Sequence, residues 1–105
     1  MKISLIIPCY NEETNIQKGV LDKIGNFTAS DDRFLEVIIV DDGSSDNSRS
    51  IIKKKYLKLF PKFRLALNPH QGKAFAILTG IKYSQADWVM FSENELATPI
   101  EEAHN

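Results

Sequence analysis

The sequence predicts an α/β fold on an open, mainly parallel, doubly wound sheet, and three observations support this. Four short apolar runs, "ISLIIP" (3–8), "LEVIIVD" (35–41), "FRLALN" (63–68) and "DWVMFS" (87–92), alternate with three stretches of helical apolar spacing. The first two runs are rich in Ile and Val, as strands covered on both faces are. The strand–helix alternation calls for right-handed crossovers between parallel strands. A chain of 105 residues holds one such domain. Its loops converge on one ligand only if the first strand lies between the second and fourth, which gives the order 3-2-1-4.

Each element has its own warrant. The N-terminus, "MKISLIIPCYNEE", carries one Lys and a short apolar run broken by Pro8. It is too short to span a membrane and lacks a small-residue cleavage site, so it reads as a strand of a cytoplasmic protein. A helix over about 13–26 places Ile16, Val20, Leu21 and Ile24 on one stripe. After the second strand, "DDGSSDNS" (41–48) supplies Gly43 for a tight turn and Ser45 or Asp46 as N-cap. The helix that follows, about 46–60, turns Ile51, Ile52, Tyr56 and Leu59 inward and Lys53-Lys54-Lys55 to solvent. The third helix, about 72–85, uses Phe75, Ile77, Leu78, Ile81 and Tyr83. After the fourth strand, Thr98, Pro99 and Glu101 form a capping-box start for a new helix. A domain seldom ends so soon after such a start, so the chain is expected to be a fragment. A homo-oligomer is one way to cover its open side.

Composition excludes more than it selects. With 43% hydrophobic and 26% charged residues the chain is an ordinary globular protein. A formal charge of −1 gives no global reason to bind nucleic acid or an anionic membrane. Cys9 is the only cysteine; it forms no internal disulfide and reads as a small buried thiol. His70 and His104 lie far apart without a Cys partner, which disfavours zinc. No G-x-S-x-G elbow and no G-x-G-x-x-G occur, and Ala74 after Lys73 breaks the Walker pattern.

In parallel α/β sheets ligands bind outside the carboxyl ends of the strands. Here those ends are Pro8-Cys9-Tyr10-Asn11-Glu12, Asp41-Asp42-Gly43-Ser44, Asn68 leading to His70-Gln71-Gly72-Lys73, and Glu93-Asn94-Glu95. Tyr10 is either a surface aromatic at a turn or a platform for a base. Asp41 and Asp42 either favour the next helix dipole or accept hydrogen bonds from a base or ribose. Gly72-Lys73 is either plain backbone geometry or an anion site at a helix start. Glu93 and Glu95 suit a hard divalent cation, Mg²⁺ or Mn²⁺, shared with a diphosphate.

The segments "SLIIPCYNEETNI", "VIIVDDGSSDNS" and "GKAFAILTGIKYSQADWVMFSENELATPIEE" resemble the N-terminal half of a family 2 glycosyltransferase, nearest its dolichyl-phosphate or polyprenyl-phosphate sugar synthase branch. The resemblance runs over essentially the whole chain. It implies a Rossmann-like sheet of the GT-A type and transfer from a UDP- or GDP-sugar, with a polyprenyl phosphate as acceptor. It also implies that the full-length protein associates with a membrane. Matched residue by residue, Pro8, Tyr10 and Glu12 fall in the loop around the base, Asp42 with Asp41 on the base and ribose, and Gly72 and Lys73 near the phosphates. Glu93-Asn94-Glu95 stands where the family has Asp-x-Asp, whose last acid touches the metal. Glu at both positions departs from that pattern, since its carboxylate reaches one methylene further. The family's general base is expected beyond the chain end, so the isolated chain is expected to be inactive. A catalytically silent nucleotide-sugar-binding or assembly module is the alternative, and a nucleotidyltransferase is disfavoured by the acidic "PCYNEE" loop.

Overall fold

The computed structural model describes residues 1–91. The expected cap Thr98-Pro99-Glu101, the acids Glu93 and Glu95, and His104 lie outside them. Strands β1 (Ile3–Cys9), β2 (Phe34–Asp41), β3 (Phe63–Leu67) and β4 (Trp88–Phe91) form one parallel sheet in the order β3-β2-β1-β4. The expected strand order therefore holds. Register places Cys9 opposite Asp41 and Asp41 opposite Leu67, so three strands end in line across the sheet.

Side-chain alternation on the central strands feeds two cores. On one face Leu5, Ile7, Val37 and Ile39 meet Ile16, Leu21, Ile24, Ile52 and Tyr56 from the helices and Phe60 from the segment that follows them. On the other, Ile6, Ile38 and Val40 meet Ala76. Both faces being covered is the reason β1 and β2 read as nearly unbroken apolar runs.

The helices differ from their sequence expectations in instructive ways. The stretch 13–26 is two helices, α1 (Glu13–Gln17) and α2 (Val20–Ala29), parted by Gly19 in the left-handed conformation at φ 92°. The stripe survives the break, with Ile16, Leu21 and Ile24 buried. The stretch 46–60 is α3 (Ser48–Ile51), a π-helical turn (Ile52–Tyr56) and α4 (Leu57–Leu59). Its N-cap residue is Asn47, not Ser45 or Asp46, although Asp46 Oδ1 does accept from the Ser48 N–H at 2.9 Å. The wide turn brings Ile52 and Tyr56 onto the sheet and leaves Leu59 exposed. The three lysines face solvent as expected.

The third helix, α5 (Lys73–Tyr83), reverses its predicted face. Phe75, Leu78, Ile81 and Tyr83 are exposed, Ile77 is partly buried, and Ala76 and Gly80 face the sheet. The reason is distance. A Cβ on Gly80 would sit 2.4 Å from Ile6 Cγ2, so the helix backbone rests almost directly on β1. Only small residues fit between. Gly80→Val is expected to lower stability by about 1–3 kcal/mol, the usual cost of overpacking, in urea denaturation.

At the opposite end of the sheet from Cys9 and Asp41, a buried carboxylate ties three strands together. Glu36 accepts from Ser4 Oγ at 2.6 Å and from the Gln85 N–H at 2.7 Å, and pairs with the Arg64 guanidinium. Burial pushes this carboxyl up, but hydrogen bonds from Ser4, Gln85 and Arg64 outweigh it and hold it below the ordinary carboxylate value. The resulting stabilisation is complete above the unfolded-state value and is lost as pH falls through the lowered one. Replacing Glu36 by Gln should flatten the fall in stability between about pH 5 and pH 3, measured by denaturation at each pH.

Candidate functional site

The aligned strand ends put three loops side by side. The first follows β1. Asn11 takes a left-handed conformation at φ 51°, which Asn tolerates better than most residues. Its Oδ1 accepts from the Ser45 N–H at 2.8 Å, and its own N–H donates to Ser44 Oγ at 3.0 Å. The Glu12 N–H donates to Ser48 Oγ, and the Glu12 carboxylate accepts from Asn15 Nδ2 at 2.8 Å. The first and second loops are thus laced into one unit, with Glu12 serving as part of the lacing.

Asp41 and Asp42, alike in sequence, are divided by the fold. Asp42 is buried and its carboxylate points to the third loop. Oδ1 accepts from the Gln71 N–H at 3.0 Å and Asn68 Nδ2 at 3.4 Å; Oδ2 accepts from the Gly72 N–H at 2.9 Å and lies 3.0 Å from His70 Nδ1. Burial pushes Asp42 up, but these donors outweigh it and hold the carboxyl below the ordinary aspartate value. Asp41 is buried too. Its Oδ2 accepts from the Ser44 N–H at 3.1 Å, whereas Oδ1 is buried with no hydrogen-bond partner among the described residues. The spare acceptor at the rim therefore belongs to Asp41.

Tyr10 stands beside them, 43% exposed, with the His70 ring stacked on it at 4.2 Å between centroids and 20° between planes. Gly43, at φ 75°, makes room for this arrangement, since a Cβ there would lie 2.7 Å from the His70 backbone nitrogen. Pro8 is the next-to-last residue of β1, opposite Val40. Helix α5 opens at the same rim with Gly72 and Lys73, so its positive end faces the loops. Cys9 is buried, and desolvation with nearby Asp41 pushes its thiol up to about 12, leaving it inert as a nucleophile.

Pro8, Tyr10, Glu12, Asp41, Asp42, Gly72 and Lys73 thus lie on one rim. Sequence reasoning missed His70, Asn68 and Asn11, which organise it. Asn11 after a strand and before Glu12 was the available signal. His70 carried no pattern, because its partners are 28 and 60 residues away in sequence. Among the described residues no group of three or more His, Cys, Asp or Glu is placed to hold a metal ion. The paired carboxylates of Glu93 and Glu95 are hard oxygen donors of the kind Mg²⁺ and Mn²⁺ take, and they lie outside the described residues. No helix among the described residues is long and apolar enough to cross a membrane.

A parallel sheet that gathers an aromatic, a buried acid and a helix start at its carboxyl rim has the layout in which α/β domains take their ligands. The chain belongs to glycosyl transferase family 2, whose profile matches residues 4–96. It is 33% identical over 106 residues to the dolichyl-phosphate beta-glucosyltransferase ALG5A of Trichomonas vaginalis, covering 95% of this chain and 32% of that protein. It is 31% identical over 102 residues to the undecaprenyl-phosphate 4-deoxy-4-formamido-L-arabinose transferase of Proteus mirabilis, covering 96% and 31%. The chain spans about a third of the length of these relatives.

Among solved structures it is similar to the mannosyltransferase PcManGT of Pyrobaculum calidifontis in complex with GDP-Man and Mn²⁺. There the TM-score is 0.69 at 27% identity, over 84% of this chain and 26% of that one. Residues 1–349 of S. aureus TarS in complex with UDP give a TM-score of 0.72 at 26% identity, over 88% and 27%. The GT-A expectation for the sheet is met.

The Asp42 geometry yields a stability prediction. Asp42→Ala leaves the part-buried amides of Gln71 and Gly72 without their acceptor and should cost about 1–3 kcal/mol. Hydrogen exchange should accelerate first at the amides of Gln71 and Gly72. Unchanged exchange there would show that the loop is held by other means.

Proposed function

We propose that this chain binds the donor of an inverting glycosyl transfer, a UDP- or GDP-sugar, across the rim formed by its three loops. In this reading the base stacks against the Tyr10 side of the rim and Asp41 Oδ1 accepts a hydrogen bond from the base or ribose. The diphosphate lies toward the N-terminus of α5 and Lys73. Asp42 acts by shaping the loop that carries Gly72, rather than by touching the nucleotide. Pro8 and Glu12 hold the first loop in place. A divalent cation held by Glu93 and Glu95 would offset the charge of the diphosphate leaving group. The acceptor in this reading is a polyprenyl phosphate, which brings the protein to the cytoplasmic face of a membrane. The names of the relatives, both polyprenol-type phosphate transferases, support that class of acceptor.

The observation that carries the proposal is the unpaired oxygen of Asp41. A buried acceptor without a donor costs about 1–3 kcal/mol, and a bound nucleoside removes that cost. Its placement beside an exposed tyrosine, in a chain of this family, favours a nucleotide over a small anion.

Calorimetric titration with UDP, GDP and their sugars, with and without Mn²⁺, tests the reading. One nucleotide is expected to bind, more tightly with Mn²⁺. Asp41→Ala should weaken it by about 1–3 kcal/mol, and Glu95→Gln should abolish the Mn²⁺ enhancement while nearly keeping side-chain size. Glu95→Asp restores the shorter acid and should bind at least as tightly with Mn²⁺. Absence of binding by any of these nucleotides would overturn the proposal.

A further inference from the structure

We propose that His70 is a nucleoside-contacting, specificity-determining residue whose ring is pre-set by Asp42 and Tyr10 to present Nε2 as a hydrogen-bond acceptor at the rim. The inference rests on the nucleotide-binding reading above and adds to it a residue and a role. It starts from an oddity of surface chemistry. The His70 side chain is 56% exposed, and an exposed side chain ordinarily keeps its rotamer freedom. Two contacts remove that freedom here, and a third feature sets the backbone beneath the ring. The ring lies flat on Tyr10 at 4.2 Å, Nδ1 lies 3.0 Å from the Asp42 carboxylate, and Gly43 lets the His70 backbone nitrogen approach where a Cβ would collide.

The neighbours also fix the tautomer. Nδ1 faces only acceptors, Asp42 Oδ2 at 3.0 Å and the Asp42 carbonyl oxygen at 3.2 Å. It must therefore carry a hydrogen and donate it. In the neutral imidazole, Nε2 then holds a lone pair and can only accept. Both hydrogen bonds that orient the ring among the described residues run through Nδ1, so Nε2 remains for a ligand on the exposed side.

An acceptor fixed next to an aromatic platform suits a nucleoside rather than a phosphate. A phosphate oxygen has no hydrogen to offer a neutral Nε2, whereas a base N–H or a ribose O–H does. Nε2 is then an oriented acceptor beside one aromatic pair, with the buried Asp41 carboxylate behind the same rim. Pre-orientation matters because a side chain already ordered loses no further entropy on binding.

Two variants separate the roles of the ring and its nitrogens. His70→Phe keeps a ring to stack on Tyr10 and removes both nitrogens. His70→Asn keeps a donor that can reach Asp42 and removes the ring and Nε2. Affinity is measured by calorimetry for whichever of UDP and GDP binds the native chain more tightly, for its 2′,3′-dideoxy counterpart, and for inorganic pyrophosphate. Both variants should lose about three- to tenfold in nucleotide affinity, the range of one net hydrogen bond, and leave pyrophosphate affinity unchanged. If the loss vanishes for the dideoxy nucleotide, the donor is a ribose hydroxyl; if it persists, the donor is on the base. If the native chain binds nucleotide and both variants match it, His70 only packs the loop and the inference fails while the nucleotide reading stands. An equal loss for pyrophosphate also overturns it. If the native chain binds no nucleotide, both fall together. His70→Asn retains the Asp42 contact and keeps the test decisive should His70→Phe fold poorly.

Discussion

The carboxylate of Asp42 is the interaction on which the rim depends. It is a buried anion at the end of β2, and a buried anion is tolerated only where donors surround it. One loop supplies them all: the amides of Gln71 and Gly72, the Asn68 amide group and the His70 ring. A single side chain thereby fixes the path from β3 to α5. It also sets where α5 begins, because Gly72, the residue before the first helical position, is one of its donors. Charge-assisted bonds of this kind are roughly twice as strong as neutral ones. The loop is long enough to wander without them.

Asp41 is the counterpart. Adjacent residues on a strand point to opposite faces, so two neighbouring acids at a strand end cannot share one task. Asp42 turns toward the loop before α5 and is saturated. Asp41 turns the other way, toward Cys9 and the Ser44 turn, and keeps one oxygen unpaired among the described residues. The division follows from strand geometry, and the loop composition on each side decides which acid finds donors.

Much of the fold was legible because it rests on local patterns. Apolar runs of four to eight residues separated by helical stretches mark parallel strands whatever the tertiary detail, and the strand order followed from the need to bring the loops together. The inward face of α5 was not legible. Hydrophobic spacing picked Phe75, Leu78 and Ile81, but the side facing the sheet is chosen by how near the backbone approaches, and that is a property of the pair Gly80 and Ile6. The break at Gly19 and the π turn at Ile52–Tyr56 are likewise settled by packing rather than by period. In the site, the positions of Tyr10, Asp41, Asp42 and Gly72 could be read from the strand ends. Their partners could not, since His70 meets Tyr10 and Asp42 only after two crossovers, from β1 to β2 and from β2 to β3, are in place.

Two distant constraints therefore converge on α5. At its start, Asp42 captures the Gly72 amide; in its last turns, Gly80 presses the backbone onto Ile6. A helix is stiff over its eleven residues, so fixing both places fixes the axis between them. Lys73 and the positive end of the helix are then held at the rim in part by packing made further along the helix. This explains why a packing glycine in the core and an acid in a loop bear on the same function. A side chain added at position 80 would tilt the helix away from β1, pull on the Gly72–Asp42 bond and loosen the His70 stack at the far end. The placement of the site is in this sense a property of the core.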